Sequence, residues 1–130
     1  MTVAKPQWKK RVSIFRYIFS DLMIDDKTRN VPQDAFENYL FDADQMKVIE
    51  YYASHREELC ELIKKHLAAG WTWERIPLVD RAAMLAAISE FRASGLDKKI
   101  VIDQTLITIK HYGDNDFPKY INAILDRILN

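Results

Sequence analysis

His55, His66 and His111 are the only histidines in the chain, and Cys60 is the only cysteine. A metal centre would need several of these within one ion's reach. If His55 and His66 share a helix, eleven residues at 1.5 Å each hold them about 16 Å apart, whereas a metal–nitrogen bond is about 2 Å. His111 has no ligand type at i+4. Cys60, between Leu59 and Glu61, has no neighbouring base to activate it as a nucleophile. Glu57, Glu58 and Glu61 could be read as acid/base groups, but they share a polar helix face with Lys64 and Lys65, and intrahelical charge pairing accounts for them. No glycine-rich phosphate loop, nucleophile elbow or zinc spacing occurs. These residues predict no catalysis, no cofactor and no metal.

Binding is the chemistry left. The stretch "GDNDFPKYINAILDRI" puts Ile121, Ile124, Leu125 and Ile128 on one face of a helix and Asp116, Tyr120, Ala123 and Arg127 on another, with Lys119 beside them. A tyrosine next to a lysine can stack on a base while the ammonium meets phosphate. The N–H groups at the helix start favour an anion, although Asp116 is also a natural N-cap for them. Residues 1–20 carry Lys5, Lys9, Lys10, Arg11 and Arg16 and no acid, whereas residues 21–61 carry eleven acids against four bases. That asymmetry marks an amino-terminal segment attracted to phosphate on a body that repels it, within a chain of zero formal net charge.

The elements that must position these groups are helices. The chain has 130 residues, enough for one domain with a sizeable core, and only three glycines and four prolines. Helical stripes run from Trp8 to Ile24, after Pro32, and from an expected cap at Asp44 through Tyr52. Another is expected from a Ser54–Glu57 capping box toward Gly70, and another from Pro77 to Ser94. A tight turn spans Trp71–Ile76. Between Ala82 and Ile88 the helix is apolar all round, which places it centrally. Residues 98–112 are rich in β-branched types, yet Ile102, Leu106, Ile109 and Tyr112 keep a helical period. The expected class is all-α, about seven helices, with residues 1–130 as one unit. No apolar run is long enough to cross a bilayer. Arg16 interrupts the apolar amino-terminal stretch and no small-residue cleavage site follows, against a signal peptide. With a single cysteine, the expected compartment is the cytoplasm.

Two stretches, "WTWERIPLVDRAAMLAAISEF" and "IVIDQTLITIKHYGDNDFPKYINAILDRI", resemble the carboxyl half of the NusB family of bacterial transcription antitermination factors. The resemblance rests on Trp71 or Trp73, Arg75, Val79-Asp80-Arg81, Glu90-Phe91 and Gly113, then on Asp116, Lys119, Tyr120, Ile121 and Asn122. In the amino half Arg11 and Phe19 match. The resemblance implies two packed helical subdomains, no enzymatic activity, and binding of boxA-type RNA together with the ribosomal protein NusE in the RNA polymerase antitermination complex that supports ribosomal RNA transcription. By the same resemblance Lys9, Lys10 and Arg11 contact phosphate. Tyr120 contacts a base with Asp116, Lys119 and Asn122 alongside, and Asp80 lies toward the ribosomal-protein face. The chain departs from the family pattern at Leu85, where an arginine is common, and at Ser89, Asp103-Gln104 and Ala123. Fewer cations weaken the phosphate contribution to binding, so the expectation is a modest RNA grip strengthened by the protein partner.

The alternative is a helical protein-interaction module that keeps this fold without RNA binding. A helical domain attached to an RNA methyltransferase would need a nucleotide-binding domain and its glycine-rich fingerprint, neither of which this sequence contains. A neutral chain rich in aromatics also leaves homodimerisation open, possible by covering its own RNA surface.

Overall fold

The computed structural model describes residues 7–24, 30–113 and 118–130. Six α-helices and one 3-10 turn follow in order: α1 (Gln7–Met23), α2 (Val31–Tyr39), α3 (Ala43–Lys65), the 3-10 turn (Trp73–Arg75), α4 (Leu78–Ser94), α5 (Lys98–Tyr112) and α6 (Pro118–Ile128). Among the described residues there is no strand, and no helix is long and apolar enough to cross a membrane.

Local chemistry explains most of the boundaries. Asn30 caps α2 by accepting from the Gln33 N–H, with Pro32 in the first turn. Gly95 ends α4 in the left-handed conformation, φ 67°. The stripes expected around Asp44–Tyr52 and Ser54–Leu67 are one helix, not two. The capping box lies further upstream than expected: Asp42 Oδ1 accepts from the Gln45 N–H at 2.9 Å, and Gln45 Oε1 accepts from the Asp42 N–H at 3.0 Å. Asp44 therefore sits inside the first turn. With no glycine or proline between Tyr52 and Glu57, nothing interrupts the helix at the exposed Ser54. The β-branched segment 98–112 is helical because burial of Val101, Ile102, Thr105 and Ile109 along one side outweighs strand propensity. Its threonine hydroxyls bond back within the helix, Thr105 to the Val101 carbonyl at 2.7 Å and Thr108 to that of Gln104 at 3.1 Å.

α4 is the central helix. It packs against α3 and α1 on one side and α5 and α6 on the other, so Ala82, Ala83, Met84, Leu85, Ala87, Ile88 and Ser89 are all buried. Leu85 and Ser89 are fully enclosed. On α6 the expected stripe of Ile121, Ile124, Leu125 and Ile128 faces the core.

Polar pins set the helix register. Buried Asp21 accepts from the Tyr52 hydroxyl at 2.5 Å and from Arg56 Nη1 at 2.8 Å, joining α1 to α3. Burial, and then the neighbouring Asp21 carboxylate, push the Tyr52 hydroxyl's pKa up. Lys98 Nζ meets Asp126 Oδ1 at 2.9 Å, tying the start of α5 to the end of α6.

Candidate nucleic-acid interface

Lys9, Lys10 and Arg11 lie in the first turns of α1, but they are not equivalent. Lys9 is exposed. Lys10 reaches Asp42 Oδ2 at 2.8 Å, beside the cap of α3, and its carbonyl accepts from Gln45 Nε2 at 3.3 Å. Arg11 donates through Nε to both oxygens of Glu90 on α4, at 2.9 and 3.0 Å. Burial raises the Glu90 carboxyl's pKa, and Arg11 opposes that shift. Two of the three expected phosphate contacts are thus already ion-paired, and only Lys9 presents its charge outward without such a tether among the described residues.

The second group of candidate residues lies at the start of α6. Tyr120 is half-buried, and its ring stacks on Trp71 with centroids 5.5 Å apart and planes 12° from parallel. Burial, followed by the Asp80 carboxylate, pushes its hydroxyl's pKa up. Trp71 is 37% exposed; of the stacked pair it is the ring nearer to solvent, and it was missed as a site residue. Its sequence signals are a place in the family-like motif, shared with Trp73, and a position directly after Gly70 in a turn. Asn122 is exposed, as are Ala123 and Arg127 on the outer side of α6. Lys119 lies in the first turn of α6, with its side chain outside the described residues, and Asp116 lies outside them altogether.

The turn that carries Trp71 is stapled by two arginines of the family-like motif. Arg75 Nη1 donates to the Gly70 carbonyl at 3.0 Å. Arg81 donates from Nε to the Ile76 carbonyl at 2.9 Å and from Nη2 to the Glu74 carbonyl at 3.0 Å, with its guanidinium 5.2 Å from the centre of the Trp73 ring. These residues hold the platform in place. Asp80, expected on a partner face, is only 3% exposed in the first turn of α4. Gly113 lies against it so closely that an added Cβ would stand 3.0 Å from the Ile109 carbonyl, 3.4 Å from Val79 Cγ1 and 3.6 Å from Asp80 Oδ1. Close approach, not backbone strain, is what calls for glycine there.

The histidines read as structural. His55 Nδ1 lies 2.9 Å from the Tyr51 carbonyl and its ring stacks on Tyr51, while His66 Nδ1 lies 2.9 Å from the Leu62 carbonyl. Burial raises the pKa of the Cys60 thiol, the opposite of nucleophile activation. Among the described residues no group of three His, Cys, Asp or Glu side chains could hold a metal ion.

The family model described as "NusB family" matches residues 11–130. This chain belongs to the NusB family. It is 31% identical over 83 residues to the transcription antitermination protein NusB of Saccharopolyspora erythraea, covering 62% of this chain and 55% of that protein. It is 36% identical over 74 residues to the NusB of Nitratiruptor sp., covering 57% and 52%. The matched part thus spans about half the length of these two relatives. Among solved structures, T. maritima NusB superposes with a TM-score of 0.82 at 23% identity, over 98% of this chain and 92% of that one. The all-α architecture expected from the helical periods is therefore the NusB fold.

Proposed function

We propose that this chain is a non-enzymatic transcription antitermination factor that binds boxA-type RNA together with the ribosomal protein NusE, in the RNA polymerase antitermination complex that supports ribosomal RNA transcription. The family match across residues 11–130 carries this reading. The arrangement of the edge agrees with it. Exposed Lys9 and the outer nitrogens of Arg11 supply phosphate contacts, and the Trp71–Tyr120 stack supplies a base platform; Asp116, Lys119 and Asn122 are further RNA contacts. Lys10 contributes by securing α1 to the start of α3. For the protein partner, the contact is placed at the start of α4. Asp80 acts there from beneath the surface, holding the Val79–Asp80–Arg81 turn against Gly113.

The competing reading, an interaction module without RNA binding, draws on the ion-pairing of Lys10 and Arg11. Binding of a boxA-type RNA in the presence of NusE, for wild type, Trp71→Ala, Tyr120→Ala, Lys9→Ala and Lys10→Ala, separates the two. The RNA-binding reading expects each aromatic truncation to cost about 1–3 kcal/mol, the scale of a lost stacked base. It expects Lys9→Ala to weaken binding more than Lys10→Ala. Equal binding by all variants, at the level of a scrambled RNA, would leave the interaction module standing.

A further inference from the structure

A second aromatic surface lies between α1 and α5, away from the Trp71–Tyr120 stack. These helices enclose an open groove of about 580 Å³. Trp8, Tyr112 and Ile107 line it, with exposures of 55%, 43% and 59%. Three large apolar side chains left in water along one groove form a patch that calls for an occupant. Tyr112 is steadied from below by Phe15, ring centres 5.4 Å apart, and from the side by His111 at 5.1 Å. It is therefore an anchored ring with an exposed portion.

The polar lining points to the occupant's chemistry. Gln7 and Gln104 bring amides that both donate and accept, and Arg11 and His111 bring cationic or donor groups. Among the described residues no carboxylate lines the groove. Glu90 is engaged by Arg11, and Asp103, though exposed, is not among the lining residues. Exposed Lys9 and Lys110 sit next in sequence to Trp8 and His111. Aromatic rings interleaved with amides and cations match the face and edge of unpaired bases on a phosphate backbone. An apolar helix from a protein partner would be served by the three apolar groups but not by the paired amides and the flanking lysines.

We propose that the α1–α5 groove is a single-stranded RNA subsite, in which Trp8 and Tyr112 stack on bases and Gln7 and Gln104 meet base edges. It rests on the RNA-binding reading above and extends the RNA path from the α6 edge. Gly113, against Val79 and Asp80, directly follows Tyr112 in sequence, so the groove's Tyr112 end adjoins the start of α4.

The test is photo-crosslinking of a 4-thiouridine-substituted boxA-type RNA to the full chain with NusE, followed by peptide mapping. It is combined with RNA affinities for Trp8→Ala and Ile107→Glu, two exposed positions whose folding is checked by thermal melting. The expected result is a crosslink within residues 104–112 and at least about fivefold weaker binding for each variant, the scale of one lost stacked base. If wild type binds the RNA and Tyr120→Ala weakens it while both groove variants bind as wild type does, this inference fails and the proposed function stands. If wild type binds no RNA above a scrambled control, both fail. If Ile107→Glu instead abolishes NusE binding or converts a dimer to a monomer with RNA affinity unchanged, the groove is a protein interface and the inference is overturned.

Discussion

Tyr120 shows what a residue's identity reveals and what it hides. Its type and its place after Lys119 marked a base contact, but nothing local revealed that Trp71 would lie across its ring. The same is true of charge. Lys10 and Arg11 were legible as cations, yet the carboxylate that holds Arg11 comes from a position 79 residues away. Pairing over that distance is a product of packing, which a local pattern does not encode. Two substitutions test the single-residue picture. The buried Ser89 hydroxyl makes no hydrogen bond among the described residues; Ser89→Ala should therefore leave stability unchanged or raise it by up to about 1 kcal/mol, as read by denaturant unfolding. Asp21 holds both Tyr52 and Arg56, so Asp21→Ala should cost about 3 kcal/mol in the same assay, because it strips a buried hydrogen-bonded network of its acceptor.

At the scale of elements, periodicity placed nearly every helix but misjudged where one begins. Ser54–Glu57 has the composition of a capping box, and so does Asp42–Gln45; only the second lies where the chain turns out of an extended conformation. The continuous helix α3 follows from that choice. The Asp42 carboxyl is held below its ordinary value of 3.8 by Lys10 first and then by the Gln45 N–H. A depressed carboxyl contributes stability that is fully present above the ordinary value and lost as pH falls through the folded one. Asp42→Ala should cost about 0.5–2 kcal/mol at neutral pH, and its melting temperature should converge on that of wild type as pH drops below 3.8. The end of α2 offers the opposite case. Leu40 caps it with φ 51° and an exposed side chain, a conformation that disfavours any residue bearing a Cβ. Leu40→Gly should raise stability by about 0.5–1 kcal/mol in thermal or chemical melts.

Across the whole molecule, the all-round apolar stretch of α4 was the most informative part of the sequence, because a helix without a polar face has to be central. It packs against four of the other five helices, bringing the amino-terminal cations and the α6 aromatic edge onto one scaffold although they lie at opposite ends of the chain. What the sequence left unread was how much of the positive charge is neutralised internally. With Lys10 paired to Asp42 and Arg11 Nε held by Glu90, the phosphate contacts proposed are Lys9, the outer nitrogens of Arg11 and Lys119. About three contacts to a single strand give a log–log salt slope of about −2. The most direct test of the central claim is therefore the salt dependence of boxA-type RNA binding to this chain, with and without NusE, against a scrambled RNA. We expect binding above the scrambled control, tightened by NusE, with a slope near that value. Binding no better than the scrambled RNA at every salt concentration, with NusE present, would contradict it.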